Sequence, residues 1–421
     1  MTLASTITEK ILANAAGVER VTPGEIITAK VDAVIGHDNS TAVFRELEKM
    51  KVDKVFDRSK VYFTVDHFVP SPTIEAATQL RDLGVYINKY GIEHWFEQGR
   101  GGVCHAIFPE AGLVHPGMVI VGSDSHTCTY GALSAFASGL GTTDVAAAMA
   151  LGELWLKVPA SLRFAFEGKP RPMVTGKDLI LYTIGQIGVD GALYKAMEFT
   201  GSTIRTLPID ERFTICNMAI EAGAKNGIIA PDEITMKYLE GRTREPFVKF
   251  ASDPDAVYEA EYRWDASTIE PLVAQPFLPS NVAPASAVKN VKVDQVVIGS
   301  CTNGRISDLR AAASVIKGKK AARGVRLLVF PATQQIYLEA MREGLLEIFV
   351  EAGAMVSPPT CGPCLGGHLG LLAEGEVAIT TTNRNFVSRM GHKNSKVYLA
   401  SPYTAAAAAV AGYIIDPRQV S

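Results

Sequence analysis

Three cysteines have the types and the spacing to hold a metal group. Cys301 lies in a Gly-Ser-Cys-Thr-Asn-Gly segment, and Cys361 and Cys364 form a Cys-x-x-Cys pair in Thr-Cys-Gly-Pro-Cys-Leu-Gly-Gly. Glycine and proline in these segments let the backbone approach an inorganic cluster closely. Three thiolates can hold a four-iron cluster and leave one iron open, and that iron would act as a Lewis acid on a substrate's hydroxyl and carboxylate.

Other types of site fit the same cysteines. A structural zinc site could take the three thiolates with His368 as its fourth ligand. On spacing alone, zinc and iron-sulfur are equally compatible, and a redox Cys-x-x-Cys is disfavoured because the pair does not follow a strand near the N-terminus. The remaining cysteines, Cys104, Cys128 and Cys216, are scattered singly and are expected to be small buried packing residues.

Histidines recur beside carboxylates. Asp66-His67 follows a β-branched run, Asp124 and His126 lie in a Gly-Ser-Asp-Ser-His segment, and His105 is close by in the chain. One Asp-His pair is more often structural, but its recurrence favours function, since a carboxylate that orients an imidazole suits general acid catalysis. A serine hydrolase triad is not expected, because neighbouring residues on an extended segment point to opposite sides.

Two further polar groups interrupt apolar stretches. Asn217 and Glu221 lie one turn apart in a predicted helix that is otherwise apolar and glycine-rich, which favours a buried polar role over a solvated one. Arg384 and Arg389 follow a strand beside Asn383. A guanidinium suits the binding of a substrate carboxylate, whereas the alternative is simple surface solvation.

The elements that must position these residues are those of an α/β protein. Short β-branched runs alternate with helical patterns, which predicts largely parallel sheets. The predicted strands that end just before polar segments are 61–65, 119–121, 296–298, 327–330 and 377–379, and a helix is predicted at 306–316. Ligands of open α/β sheets bind beyond the carboxyl ends of the strands, so we expect these polar segments to meet in one cleft.

The chain is long enough for several domains. Its 421 residues exceed the size at which one core keeps growing. Proline- and glycine-rich segments suggest three α/β domains: 1–158 with the Asp-His and Gly-Ser-Asp-Ser-His motifs, 159–284 with the Cys-Asn-Met motif, and 285–421 with the cysteines proposed to bind metal. No repeat of fixed period is visible.

Composition excludes several classes of function. The formal net charge of −3, without a concentrated basic face, argues against nucleic acid as the main ligand. No apolar stretch is long enough to span a bilayer, and no Gly-x-x-x-x-Gly-Lys-Ser/Thr motif is present. Six cysteines and no recognisable signal segment within 1–20 predict a cytoplasmic protein with free thiols.

Taken together, these motifs resemble the aconitase superfamily, and within it the two-subunit isopropylmalate isomerases. The matching segments are Asp-His at 66–67, Gly-Ser-Asp-Ser-His at 122–126, Cys-Asn-Met at 216–218, Gly-Ser-Cys-Thr-Asn at 299–303, Cys-Gly-Pro-Cys at 361–364 and Asn-Arg-Asn-Phe at 383–386. They extend over almost the whole chain in the order of the family. Each segment alone would be weak, but their joint occurrence is specific.

The resemblance implies roles for individual residues. It implies three α/β domains around a central cleft that holds one 4Fe-4S cluster with one iron not bound by cysteine. The implied residues are Cys301, Cys361 and Cys364 as cluster ligands, Asn217 and Asn383 beside the sulfurs, Asp66, His67, His105, Asp124, His126 and Glu221 as catalytic groups, and Ser125, Arg384 and Arg389 as substrate-binding groups. Asp66 and His67 would protonate the departing hydroxyl.

The same resemblance implies a reaction and a partner. The expected reaction is a dehydration and rehydration that interconverts 2-isopropylmalate and 3-isopropylmalate in leucine biosynthesis. Homocitrate and other alkylmalates are alternative substrates, as in homoaconitase large subunits. No segment matches the family's mobile fourth domain, so we expect a separate small subunit that brings the base and the specificity residues. An iron-sensing RNA-binding protein and a zinc-stabilised scaffold are competing hypotheses, and both are disfavoured.

Overall fold

The computed structural model describes residues 4–243, 245–288 and 290–420. The strands of these residues form three larger sheets and one antiparallel pair, Ile26–Lys30 with Glu153–Lys157. Neighbouring strands are parallel throughout the first two sheets and through most of the third. The α/β class with largely parallel sheets, predicted from the sequence, is therefore confirmed.

The first sheet has five parallel strands. In spatial order they are His94–Phe96, Val61–Thr64, Ala33–Gly36, Val119–Gly122 and Phe136–Gly139. The three central strands are buried at every position, as expected for a sheet covered on both faces. The order of the strands reverses between 33–36 and 119–122, and this is where an open α/β sheet forms its ligand crevice.

The third sheet repeats this topology. Its strands in spatial order are Val282–Pro284, Leu272–Ala274, Lys396–Ala400, Val377–Thr380, Gln295–Gly299, Arg326–Phe330 and Met355–Val356. The last five are parallel, and the first two are antiparallel additions at one edge. The order reverses between 295–299 and 377–380, so a second crevice begins where the Gly-Ser-Cys and Asn-Arg-Asn segments follow their strands.

The second sheet has four parallel strands: Asn226–Ile228, Ala196–Thr200, Ser161–Glu167 and Ala260–Asp265. By strand pairing this sheet ends at Asp265, because the hairpin formed by 272–274 and 282–284 is hydrogen-bonded to the third sheet. The domain limit proposed at 284 thus lies at the last residue of the second strand of this hairpin, so the hairpin precedes the limit in the chain but belongs to the third sheet. The proline-rich stretch 271–284, in which the sequence gives little strand signal, contains both strands of that hairpin.

Helices cover the sheets and carry much of the site. The α-helices are Ile7–Ala16, Thr41–Lys49, Ile74–Tyr90, Cys104–Glu110, Thr142–Leu151, Gly176–Ile187, Ser202–Thr206, Ile209–Asn217, Glu233–Leu239, Ser300–Asn303, Ile306–Ile316, Gln334–Arg342, Leu345–Glu351 and Pro402–Ala411. Three 3-10 helices, Ser125–Leu133, Met218–Ala222 and Gly362–Leu365, bear on the site. No helix of the described residues is both long and apolar enough to cross a membrane.

The helix Ile306–Ile316 has the bounds that its sequence predicts. Its N-terminus is capped because the Asp308 carboxylate accepts a hydrogen bond from the Arg305 backbone N–H at 2.9 Å. Its buried positions Leu309, Ala312, Ala313 and Ile316 follow the helical period, so one stripe faces the core. The predicted strands also agree with the observed ones to within one residue at each end.

Two local predictions are wrong. The helix expected to contain both Asn217 and Glu221 ends at Asn217, and a 3-10 helix carries Glu221. The segment at Asp124, expected to be extended, instead opens the 3-10 helix Ser125–Leu133, because the Asp124 carboxylate accepts from the His126 backbone N–H at 2.7 Å and caps that helix. The periodicity of apolar residues does not predict a helix that begins at a polar capping side chain of this kind.

A buried ion pair supports the helix that ends at Asn217. Arg212 is 0% exposed, and its two terminal nitrogens donate to both carboxylate oxygens of Asp232 at 2.7 and 2.6 Å. We expect Asp232→Asn to lower the free energy of unfolding by about 1–3 kcal/mol, because it leaves a buried guanidinium without its charge partner. The loss stays below that of a wholly buried pair, since the Asp232 side chain is 30% exposed.

The stabilisation that Asp232 provides through Arg212 depends on pH. Burial raises the pKa of Asp232, but hydrogen bonds from Arg212 and Thr235 outweigh it and lower the pKa. Stability from a carboxyl with a lowered pKa is fully present above its unfolded pKa of ~3.9 and is lost as the pH falls further. Urea unfolding should therefore show a gap between wild type and variant at pH 7 that narrows below about pH 4. Exposed Asp255→Asn is the control, and an equal gap at both pH values would contradict the assignment.

Candidate active site

The two crevices open into one cleft of about 210 Å³. Eleven residues that the sequence singles out line it: His67, His105, Asp124, Ser125, His126, Cys301, Cys361, Cys364, Asn383, Arg384 and Arg389. The other three, Asp66, Asn217 and Glu221, lie behind this lining and are hydrogen-bonded to it. Residues from 66 to 389 of the chain are thus brought to one place by the strand order of the sheets.

The three cysteines are buried at the floor of the cleft. Cys301, Cys361 and Cys364 are 4%, 5% and 6% exposed, and all three are free thiols. Glycine is required where the chain turns toward Cys301. Gly299 has a φ of 138°, and a Cβ there would lie 2.2 Å from the carbonyl oxygen of Phe330. The glycine expected from the sequence therefore serves a close approach between neighbouring strands.

The spacing of the sulfurs does not match a single zinc ion. Two sulfurs bound to one zinc at ~2.3 Å each are at most ~4.6 Å apart. Within the described residues, the three cysteines do not form a group whose ligand atoms all lie within 4.8 Å of one another. His368, the proposed fourth zinc ligand, lies outside the cleft lining. Both observations speak against the zinc alternative and leave room for a larger group between the sulfurs.

Amide side chains point at the sulfur of Cys301. The Nδ2 atoms of Asn217 and Asn383 donate to its Sγ at 3.4 and 3.3 Å, and Asn383 Nδ2 also donates to the Asn217 amide oxygen at 3.1 Å. Burial, together with the nearby Cys364, raises the pKa of the Cys301 thiol to about 12 even though hydrogen bonds with Asn217 and Thr302 oppose the shift. Burial also raises the pKa of Cys361, against the effect of His67. Such thiols become thiolates when a metal binds them.

Asp66 and His67 form a tight acid-base pair at the end of their strand. The Asp66 carboxylate lies 2.6 Å from His67 Nδ1 and accepts the Cys104 backbone N–H at 2.8 Å. Burial opposes charge on His67, but Cys361 and Asp66 outweigh it and raise the pKa of the imidazole well above its usual value. The Asp66 backbone carbonyl also accepts the Cys361 N–H at 2.8 Å. Asp66 thus connects His67, through its carboxylate, to the loop that carries Cys361, through its backbone carbonyl.

Two residues of this corner are absent from the sequence predictions. His37 stacks on His67 with ring centroids 4.3 Å apart and lines the cleft. Asp38 is 0% exposed and accepts the backbone N–H groups of His67 and Phe68. Both follow the strand Ala33–Gly36. Applying the strand-end rule to that strand as well could have found them.

Two more histidines are held by carboxylates. His105 Nε2 lies 2.7 Å from Asp124, and His126 Nε2 lies 2.8 Å from Glu221. Burial lowers the pKa of His105 although Asp124 opposes it. Arg384 Nε donates to the same Glu221 oxygen at 2.8 Å. His126 thus pairs through its Nε2 with a residue distant in the chain.

Arg389 is the one described guanidinium of the cleft lining whose Nε is buried without a hydrogen-bond partner. Arg384, in contrast, is already paired with a carboxylate. An arginine that lines a cleft and keeps an unpartnered N–H can donate to a substrate carboxylate, which binds arginine in a bidentate manner. The two arginines therefore differ in their partners: Arg384 is paired with Glu221, whereas the Nε of Arg389 has no partner.

Comparison with known proteins agrees with this geometry. Residues 9–290 and 283–412 match the model of the aconitase family (aconitate hydratase). The chain belongs to the aconitase family. It is 56% identical over 416 residues to the 3-isopropylmalate dehydratase large subunit of Heliobacterium modesticaldum, with 99% of each chain covered. The Aquifex aeolicus protein of the same name is also 56% identical, with 99% of this chain and 97% of the relative covered.

Likeness extends to an archaeal relative and to a solved structure. A 3-isopropylmalate dehydratase large subunit 1 of Pyrococcus furiosus is 56% identical, with 99% of each chain covered. The crystal structure of Thermococcus kodakaraensis aconitase X matches with a TM-score of 0.50 at 14% identity, covering 90% of this chain and 89% of the other. At this identity the structural match shows the fold alone. The resemblance read from the motifs is confirmed by the family and by the relatives.

Membership of the aconitase family implies a 4Fe-4S cluster, and the residues of the cleft fit one. The three buried sulfurs are too widely spaced for one zinc, and two amide groups donate hydrogen bonds to one of them. Together they form a soft, buried set of ligands. Hydrogen bonds to ligand sulfur are a general means of tuning such clusters. Cys301, Cys361 and Cys364 would hold the cluster.

Proposed function

We propose that this chain is the cluster-binding large subunit of a hydro-lyase that interconverts 2-isopropylmalate and 3-isopropylmalate, a reaction of leucine biosynthesis. The observation that carries the proposal is the identity of 55–57% over 99% of the chain to relatives named 3-isopropylmalate dehydratase large subunits. The cleft supports it, since acid-base pairs, an open arginine and three thiols face one space.

Cys301, Cys361 and Cys364 would hold the cluster, which when bound with one iron free of cysteine would supply a Lewis acid for the substrate's hydroxyl. Arg389 binds a substrate carboxylate through its open Nε and fixes the distance between the hydroxyl and the acid pair. Arg384 holds Glu221, and Glu221 in turn orients His126. Ser125 also lines the cleft and binds substrate there.

His67 acts as the general acid. Its raised pKa keeps it protonated near neutral pH, and Asp66 fixes the Nδ1 side of the ring so that Nε2 is free to donate. The hydroxyl leaves as water after taking this proton, an unsaturated acid forms, and water returns at the neighbouring carbon. His105 with Asp124 and His126 with Glu221 order the oxygen that leaves and returns.

A small subunit completes the site in this proposal. The relatives are named large subunits, and this chain matches them over 99% of its length. Exposed apolar side chains near the cleft support the idea. Leu365 lines the cleft, and Phe386 and Val387 follow Arg384 closely in the chain. The partner brings the base that removes the carbon-bound proton and reads the variable end of the substrate. We place the assembly in the cytoplasm.

Arg389→Lys tests the role of the open guanidinium. Lysine keeps the charge but loses the planar fork, so KM for isopropylmalate should rise by about 10–100-fold with a smaller change in kcat. Steady-state kinetics of the reconstituted complex provide the measurement. Arg310→Lys, at an exposed residue outside the cleft, is the matched control. An unchanged KM would assign Arg389 to a structural role.

The direct test of the function uses reconstituted protein. The chain is loaded with iron and sulfide without oxygen, mixed with its cognate small subunit, and followed by the ultraviolet absorbance of the unsaturated acid. The proposal predicts turnover of isopropylmalate, little turnover of homocitrate, and much lower activity without the small subunit. Preferential turnover of homocitrate would show that homocitrate, and not isopropylmalate, is the substrate. No absorbance change with any alkylmalate would refute the proposed hydro-lyase activity.

A further inference from the structure

Lys177 is a fully buried cation that the proposed reaction does not use. It lies in the helix Gly176–Ile187 beside the second sheet, is 0% exposed, and extends its Nζ to loops of the third sheet. The Nζ donates to the backbone oxygens of Thr381 and Thr382, each at 2.7 Å, and to Asn303 Oδ1 at 3.4 Å.

These partners match the charged form of the side chain. An ammonium has three N–H donors, and here three oxygens accept them. A neutral amine would turn its lone pair toward one of those oxygens. Because all three partners are uncharged, nothing in direct contact balances the buried charge of Lys177, although burial of a charge is costly. A negative group in the next layer is therefore expected.

That next layer contains the Asp308 carboxylate, which accepts a hydrogen bond from Asn303 Nδ2 at 2.9 Å, and the cysteine ligands. Thr382 directly precedes Asn383, which donates to Cys301 Sγ at 3.3 Å. Asn303 lies on the helix Ser300–Asn303, which also carries Cys301. Lys177 thus binds the backbone next to Asn383 and the side chain of Asn303, which lies on the helix that carries Cys301.

Nearby carboxyls balance the charge only in part. Burial lowers the pKa of Lys177 to about 7, and Asp308, Cys301 and Cys364 oppose that shift. Burial also raises the pKa of Asp308 to about 7, so this carboxyl is only partly ionised at neutral pH. Thiolates bound to iron keep their negative charge at neutral pH. Asp178, whose pKa burial raises to about 6, also opposes the shift, and the ligand sulfurs add negative charge near the amine.

Building on the proposed function, we propose that Lys177 is the counter-cation of the cluster. In this role it is a positioning residue: it fixes the loops that carry Cys301 and Asn383 and places a positive charge behind the anionic ligand set. Reduction adds an electron to that set, so a buried positive charge favours the reduced cluster. Without Lys177 the cluster should be harder to reduce and should lose iron faster.

Three variants separate charge from packing. Lys177→Met and Lys177→Gln remove the charge, Gln retaining a hydrogen-bond donor, whereas Lys177→Arg keeps the charge. Folding is checked by circular dichroism, and the Gln variant decides if the Met variant does not fold. The readouts are the midpoint potential of the reconstituted cluster, from electron paramagnetic resonance during a mediated titration, and the rate of iron release to a chelator.

We expect both neutral variants to shift the potential downward and to release iron at least tenfold faster, with the Arg variant close to wild type. Unchanged potentials in the neutral variants, or an equal shift in all three variants, would overturn the role as counter-cation. These outcomes are distinct from failure of the proposed function, because in that case the wild-type chain itself would bind no cluster or show no turnover with its partner.

Discussion

Replacing Cys301 by alanine is expected to remove the cluster and the activity while the chain stays folded. Cys301 is the sulfur that receives two amide hydrogen bonds, and it lines the same cleft as His67 and the two arginines. Loss of a direct ligand should cost more than the ~10–100-fold in metal affinity that substitution of outer-shell groups costs. Iron and sulfide analysis after anaerobic reconstitution, with activity measured in the presence of the small subunit, checks the prediction.

Cys216→Ala is the matched control. Cys216 is 0% exposed and free, but it does not line the cleft. The same truncation there should leave iron, sulfide and activity near wild-type values at a modest cost in stability. If both variants lost iron equally, the effect would arise from core packing. If Cys301→Ala kept a full complement of iron, Cys301 would not be a ligand.

His67→Asn is expected to lower kcat by about 10²–10⁴-fold with little change in cluster content. This is the range that a positioned general acid contributes. Asparagine has no proton to give at neutral pH, whereas His67 has a raised pKa and is paired with Asp66 at 2.6 Å. The measurement is kcat of the reconstituted complex, normalised to iron content.

His115→Asn provides the comparison, since His115 stacks on Phe247 outside the cleft. Its kcat should stay within about twofold of wild type. A fall in kcat of His67→Asn that only followed a loss of iron would point to a structural role through Asp66 and the Cys361 loop. A kcat close to that of wild type would remove His67 from the reaction.

The sequence identifies most of this site because one rule connects the residues. Parallel strands end at a common edge, so polar segments after the predicted strands 61–65, 119–121, 296–298 and 377–379 meet in one cleft. The family motifs then assign chemistry to positions that the strand rule only locates. The helix 306–316 was predictable to the residue, because its apolar stripe and its capping carboxylate agree.

Other features depend on tertiary contacts that periodicity does not encode. Lys177 looks like an ordinary helix lysine, and only the fold brings its Nζ to the backbone of Thr381. The hairpin within 271–284 forms because the third sheet offers an edge at Lys396–Ala400. The pairing of His126 with Glu221 joins residues far apart in the chain, and the pattern of neighbouring residues does not predict it.

The central claim is that three cysteine sulfurs hold a four-iron cluster with one iron left for substrate. The most direct measurement is the Mössbauer spectrum of protein reconstituted with iron-57 without oxygen, recorded before and after addition of isopropylmalate. The account predicts that about one quarter of the iron changes its signal on addition of substrate while the rest does not. A spectrum in which all iron sites are alike and unaffected by substrate, or a protein that binds zinc and no iron, would contradict it.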